Sequence, residues 1–404
     1  MTERLEGARI LIYSHDTFGL GHLRRCRTIA HSLVERFKGL SVLILSGSPI
    51  IGSFDFRARV DFVRIPGVIK LHNGDYQSLG LHIALDQTMA MRRAIIRHTA
   101  EAFKPDLFLV DKEPIGLKGE VIPTLRMLKT MGTRLVLGLR DIMDDPEVLS
   151  REWQHKNVMP VLQTLYDDIW VYGLKEIADP LAGIAYPAAV GRKMTYTGYI
   201  PRALGNVDRA PEPPFGDEPY LLVTVGGGGD GMAVVDWVLS AYEHDPTLPR
   251  NALIALGPFM STVKQREFHA RADRLPRVRT VTFDTHLEYL MANAAGVVAM
   301  GGYNTFCEIL SFDKPAILIP RTAPRREQLI RARRVAQMGL MQMLDIDGGN
   351  DPSVMAKALR ELASQPRPST RGSVGMLKGL ASIDRLAARH LPVRRRRART
   401  AAVG

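Results

Sequence analysis

Short apolar runs, each about the length of one buried strand, alternate with segments of helical periodicity along almost the whole chain. In the first half they lie at residues 8–13, 41–45, 60–65, 106–110, 134–139 and 169–172. In the second half they lie at 220–225, 278–282, 296–300 and 316–320, and helical patterns such as 23–37 and 87–103 separate them. Strands covered on both faces read as continuous apolar runs, and strands that alternate with helices build a doubly wound parallel sheet. A chain of 404 residues exceeds one ordinary core, so we expect an α/β protein of two Rossmann-like domains. The first domain should span 1–200, a linker rich in proline and charge 201–219, and the second domain 220–371.

Glycine-rich turns sit where strands should hand over to helices. Residues 226–231 read Gly226-Gly227-Gly228-Gly229-Asp230-Gly231, and a second turn, Gly301-Gly302, precedes a helix expected to start near Asn304 or Thr305. Unpaired N–H groups and the dipole at such helix starts attract anions, and glycine lets a phosphate approach the backbone. No Lys-Ser/Thr pair follows the first turn, so it is not a Walker loop. Near the N-terminus Gly19-Leu20-Gly21-His22 forms a third such turn, and Arg24 stands where a dinucleotide fingerprint needs Gly or Ala. His22 adds chemistry, because an imidazole can take a proton from an attacking hydroxyl or water. The bland alternative is a helix-start residue bonded only to backbone. His15 and Asp16 are candidates to orient it.

Glu308 has two readings. Thr305-Phe306-Cys307-Glu308 fits capping-box spacing, whereas a carboxylate beside a phosphate site can accept from the vicinal hydroxyls of a ribose. The polar clusters that follow other strands (Asp111-Lys112-Glu113, Arg140-Asp141 with Asp144-Asp145, and Lys175-Glu176) read better as helix caps or solvated loops than as acceptor contacts. Residues 70–80 lack periodicity and read as a loop over the cleft.

In order, Gly301, Gly302, Thr305, Glu308, Lys314-Pro315, Pro320, Gln328 and Gly339 resemble the nucleotide-sugar half of glycosyltransferase family 28. The resemblance implies the GT-B architecture, with an N-terminal acceptor domain facing a C-terminal domain that binds a UDP-sugar. It implies that Glu308 contacts the ribose of UDP, Glu327 and Gln328 contact the sugar, and Phe283 marks the base pocket. Glu327 replaces a Gln common in the family, leaving the sugar identity open. It also implies that a helix at 372–390 crosses back to the first domain. The run 19–34, GLGHLRRCRTIAHSLV, resembles the GxGHxxRC signature of the UDP-sugar hydrolase of pseudaminic acid synthesis, which implicates Gly19, Gly21, His22 and Arg25.

The implied activity is transfer of a hexose, N-acetylhexosamine included, from a UDP-sugar to a hydroxyl, inverting and independent of metal, with no cofactor. A hydrolase using water is the nearest rival. A sugar-nucleotide 2-epimerase needs further acid and base residues, and a non-catalytic sensor would not depend on His22.

Charge bears on partners. The net charge is +12, and six arginines fall in the last sixteen residues with no acidic residue, leaving +6 for the remainder. The basic tail at 391–404, with Arg389, is expected to be a disordered segment or to touch an anionic membrane, and the nearest transferase relatives use lipid-linked acceptors. No nucleic-acid motif appears. No apolar run reaches membrane-spanning length and no signal-peptide layout is present, so a cytoplasmic protein, peripheral on the inner face of the plasma membrane, is expected. Cys26 and Cys307 show no metal-ligand spacing and read as packing residues.

Overall fold

A computed structural model describes residues 3–4, 7–15, 21–70, 75–204, 212–284 and 286–391. Two parallel sheets carry the architecture. The first has seven strands in the spatial order Met194–Tyr196, Asp168–Tyr172, Arg134–Arg140, Leu107–Asp111, Arg9–Ser14, Ser41–Ser46, Val60–Arg64. The second has six, in the order Val278–Val281, Asn251–Ala255, Tyr220–Thr224, Gly296–Ala299, Ala316–Leu318, Gln342–Met343. In both, the chain starts in the middle, winds outward to one edge, then returns and winds to the other. This doubly wound order leaves a crevice where the winding reverses, at the carboxyl ends of the first and fourth strands.

Apolar residues on both faces of each strand explain the layers. One cluster packs Leu11, Phe108 and Leu137 under the helices on one side of the first sheet. Another packs Val223, Ile254 and Val298 on one side of the second. A third is shared by both halves, joining Ile12, Cys26 and Val136 to Tyr199, Tyr303, Phe306 and Met376. Tyr199 packs edge-on against Phe306 at 5.0 Å between ring centroids. Cys26 and Cys307 form no disulfide and are buried within that cluster.

Local sequence sets several helix starts. Asp145 and Asp351 each precede proline and accept a hydrogen bond from the backbone N–H two residues on, starting Pro146–His155 and Pro352–Leu362. The terminal helix Gly379–Ala388 does lie against the first half, where Ser32 donates to Asp384 and His390 stands 3.0 Å from Asp168. The span expected as one helix from 372 is broken, with the short 3₁₀ turns Pro368–Arg371 and Ser373–Gly375 preceding it. Residues 70–80 are likewise not a plain loop, since Val68–Lys70 and Tyr76–Ser78 pair as an antiparallel hairpin. Among the described residues no helix is long and apolar enough to cross a membrane.

Candidate active site

Both crevices face the junction of the two halves. In the first sheet the crevice lies between Arg9–Ser14 and Leu107–Asp111, whose ends lead to the helix Gly21–Arg36 and to Asp111. His22, in the first turn of that helix, places Nδ1 2.7 Å from Oδ2 of Asp111. Arg25, one turn on, donates from Nε to Oδ1 of Asp111 at 2.9 Å and from its terminal nitrogen to Oδ2 at 2.5 Å. Asp111 is wholly buried. An aspartate that accepts from Nδ1–H fixes the tautomer and leaves Nε2 as the acceptor of a proton.

Burial is the largest influence on the His22 ring and takes its pKa down to about 4, against the opposing pull of Asp111. Asp111 is also buried, yet the Arg25 charge beside it holds its carboxyl below the usual range. The pair is therefore a neutral imidazole on an ionised carboxylate at neutral pH, an arrangement suited to general-base work.

Several expectations change on this geometry. Arg25, expected to contact substrate, is buried and committed to Asp111, so it positions the carboxylate instead. Asp111, expected in a cap or solvated loop, is the group that orients His22, and His22 is not bonded to backbone alone. His15 stands edge-on to His22 at 6.0 Å between centroids and faces the Tyr13 hydroxyl. Gly19 and Asp16 lie outside the described residues. Asp141 and Asp144 are also not solvated: Asp141 pairs with Arg331 and Asp144 with Arg325, both from the second half. Asp145 does cap a helix, as expected of its cluster.

In the second sheet the crevice lies between Tyr220–Thr224 and Gly296–Ala299, and the glycine turns follow these two strands. Gly228 has φ +87°, and a Cβ there would stand 2.3 Å from the Leu256 carbonyl oxygen. Gly229 has open space around its Cβ position. Arg321 ties the surrounding loops together. It pairs with Asp230 of the glycine loop and with Glu327 at 2.6 Å, and its backbone N–H donates to Gln328. The carbonyl of Gly301 accepts from Arg331, and Gly302 approaches the Gln328 amide. Gly226–Gly229, Gly301, Gly302, Glu327 and Gln328 thus belong to one cluster.

The helix after Gly301 begins at Tyr303 with Gly302 as its cap, and no side chain caps it. Glu308 therefore sits in the second turn, and the capping-box reading of Thr305 and Glu308 does not hold. Its buried carboxylate instead lies 3.2 Å from Arg24 of the first half. Asn304 donates to the Gly21 carbonyl at 3.1 Å and accepts from Arg202, joining the two helix starts. Thr305 is partly buried on the same turn, and Phe283 is 52% exposed just beyond the strand Val278–Val281.

Comparisons with known proteins agree with this architecture. Residues 221–378 match the glycosyltransferase family 28 C-terminal domain. The UDP-N-acetylglucosamine--N-acetylmuramyl-(pentapeptide) pyrophosphoryl-undecaprenol N-acetylglucosamine transferase of Methylorubrum extorquens is 29% identical over 223 residues, covering 54% of this chain and 58% of that protein. The match thus spans little more than half of that relative. Among solved structures, the kitacinnamycin glycosyltransferase aligns with TM-score 0.64 at 17% identity, over 96% of this chain and all of that one. Acinetobacter baumannii MurG aligns with TM-score 0.60 at 12% identity, over 94% of this chain and 99% of that one. The fold is GT-B.

Proposed function

We propose that this chain, whose residues 221–378 match the glycosyltransferase family 28 C-terminal domain, transfers a hexose-type sugar from a UDP-sugar to an acceptor hydroxyl. One observation carries the reading: a neutral, aspartate-oriented His22 sits at the crevice of one sheet, across from the glycine turns at the crevice of the other. The acceptor O–H gives its proton to Nε2 of His22 while its oxygen bonds to C1 of the sugar. The C1–O bond to the diphosphate breaks, and its electron pair leaves on the phosphate oxygen. A single displacement inverts C1. Proximity supplies much of the rate, and the backbone donors of the glycine turns stabilise the leaving charge. Glu308 serves the ribose hydroxyls, Phe283 flanks the base, and neither metal nor cofactor enters the scheme.

The curated relative's name describes a lipid-linked acceptor, and the arginine-rich tail supplies charge for an anionic membrane surface. Peripheral attachment to the inner face of the plasma membrane is part of the same proposal. Vesicle flotation tests it: association should require anionic lipid, fall with salt and weaken when 392–404 are removed. Binding to neutral vesicles alone would count against it.

Release of UDP from a panel of UDP-sugars, with and without hydroxyl acceptors, tests the activity. Transfer predicts release that rises with one acceptor class. Release at full rate with water alone would favour the hydrolase suggested by the run around His22, and no release with any donor would defeat both.

A further inference from the structure

Three polar atoms near Glu327 are buried without a hydrogen-bond partner: Nε of Arg140, Nε of Arg321 and Oε2 of Glu327. Arg140 ends the strand Arg134–Arg140, whose Gly138 is in register with Asp111. Arg140 therefore stands one strand over from the carboxylate that orients His22. Arg321 and Glu327 come from the opposite half, bonded to each other through Oε1 at 2.6 Å. Glu327 is the anion that acts most strongly on Arg140, with Asp141 also attracting it and Arg25 and Arg331 repelling it. Arg25 is neutralised by Asp111 and Arg331 by Asp141. Glu327 stands between Arg140 and Arg321, and Arg321 also pairs with Asp230 of the glycine loop.

Buried donors and acceptors left unpaired are costly, and a ligand that completes them recovers the loss. Two unmet N–H groups on guanidinium cations suit an oxyanion acceptor, while one unmet carboxylate oxygen suits a hydroxyl donor. A sugar joined to a phosphate offers both on adjacent atoms. We propose that Arg140 from the first half and Arg321 from the second clasp the phosphate attached to the sugar, with Glu327 accepting from a sugar hydroxyl. The inference rests on the transferase reading and deepens it. Arg140 then meets the phosphate oxygen that receives the electron pair when the bond to C1 breaks.

Calorimetry with UDP, UMP and UDP-glucuronic acid on the wild type, Arg140→Gln and Arg140→Lys tests the clasp. Arg140→Gln should weaken UDP about tenfold or more and leave UMP within about twofold, because only UDP carries the second phosphate. Arg140→Lys should recover part of the UDP loss. Equal losses for UDP and UMP, or unchanged UDP binding, would overturn the clasp while leaving the transferase reading standing. A loss confined to UDP-glucuronic acid would assign Arg140 to a sugar carboxylate and overturn it too. A wild type that binds none of the three removes the transferase reading itself.

Discussion

His22 works as a base only while neutral, so its protonation sets an acid limit. Burial lowers its pKa from 6.5 to about 4, and the limb of kcat/KM should follow it there. The rate should stay level as pH falls through 6.5, as far as His22 governs it, and drop only near 4. A limb at 6.5 would mean that the ring is solvated in the working enzyme. Stability carries the same sign. His15 and His22 both have lowered pKa values, so the unfolded chain binds more protons than the native one below 6.5. Their contribution is fully present above 6.5 and is lost as pH falls toward about 4 for His22 and about 3 for His15, which denaturant midpoints across that range would register. Asp111→Asn should cost about a hundredfold or more in kcat by freeing the tautomer, with little change in UDP affinity. His22 was legible from its glycine turn. Asp111 was not, because 89 residues separate it from His22 and only the strand order of the sheet makes them neighbours.

Elements decide where glycine is a requirement and where it is an opening. Gly228→Ala should destabilise by about 1–2 kcal/mol, because its φ is left-handed and a Cβ would meet the Leu256 carbonyl. Gly229→Ala meets nothing and should keep its melting temperature, so any loss it shows in UDP binding reports on the ligand. Equal melting losses at both sites would refute this division of the loop. Glu308→Ala separates ligand from fold in the same way: with no cap to lose, it should weaken UDP by about 1.5–3 kcal/mol, the worth of a charged hydrogen bond. A large stability loss with unchanged affinity would make Glu308 structural, held for Arg24. Most strands could be read from sequence because apolar runs mark them whatever their order, but Asn251–Ala255 and the short edge strands Met194–Tyr196 and Gln342–Met343 were not. The start of the helix at Tyr303 was harder, since Thr305 and Glu308 imitate a cap that Gly302 supplies by backbone alone.

The two halves meet through a shared apolar cluster and a buried ion pair. Arg331 donates to Asp141 at 2.7 and 2.8 Å and to the Gly301 carbonyl at 2.8 Å, and Tyr199 donates to the same aspartate. Removing one partner leaves a buried charge unmet, so Arg331→Met should cost about 3–5 kcal/mol. Sequence could not pair residues 190 positions apart, and for that reason it underestimated the clusters that follow the strands. What it could deliver was the pair of sheets and the glycine turns, which are local. The central claim is that His22, held by Asp111, deprotonates the nucleophile at a cleft that binds UDP-sugar. Parallel measurement of UDP affinity and UDP release for the wild type and His22→Ala tests it most directly. The account predicts UDP affinity within about threefold and turnover reduced about a hundredfold or more; wild-type turnover in His22→Ala would contradict it.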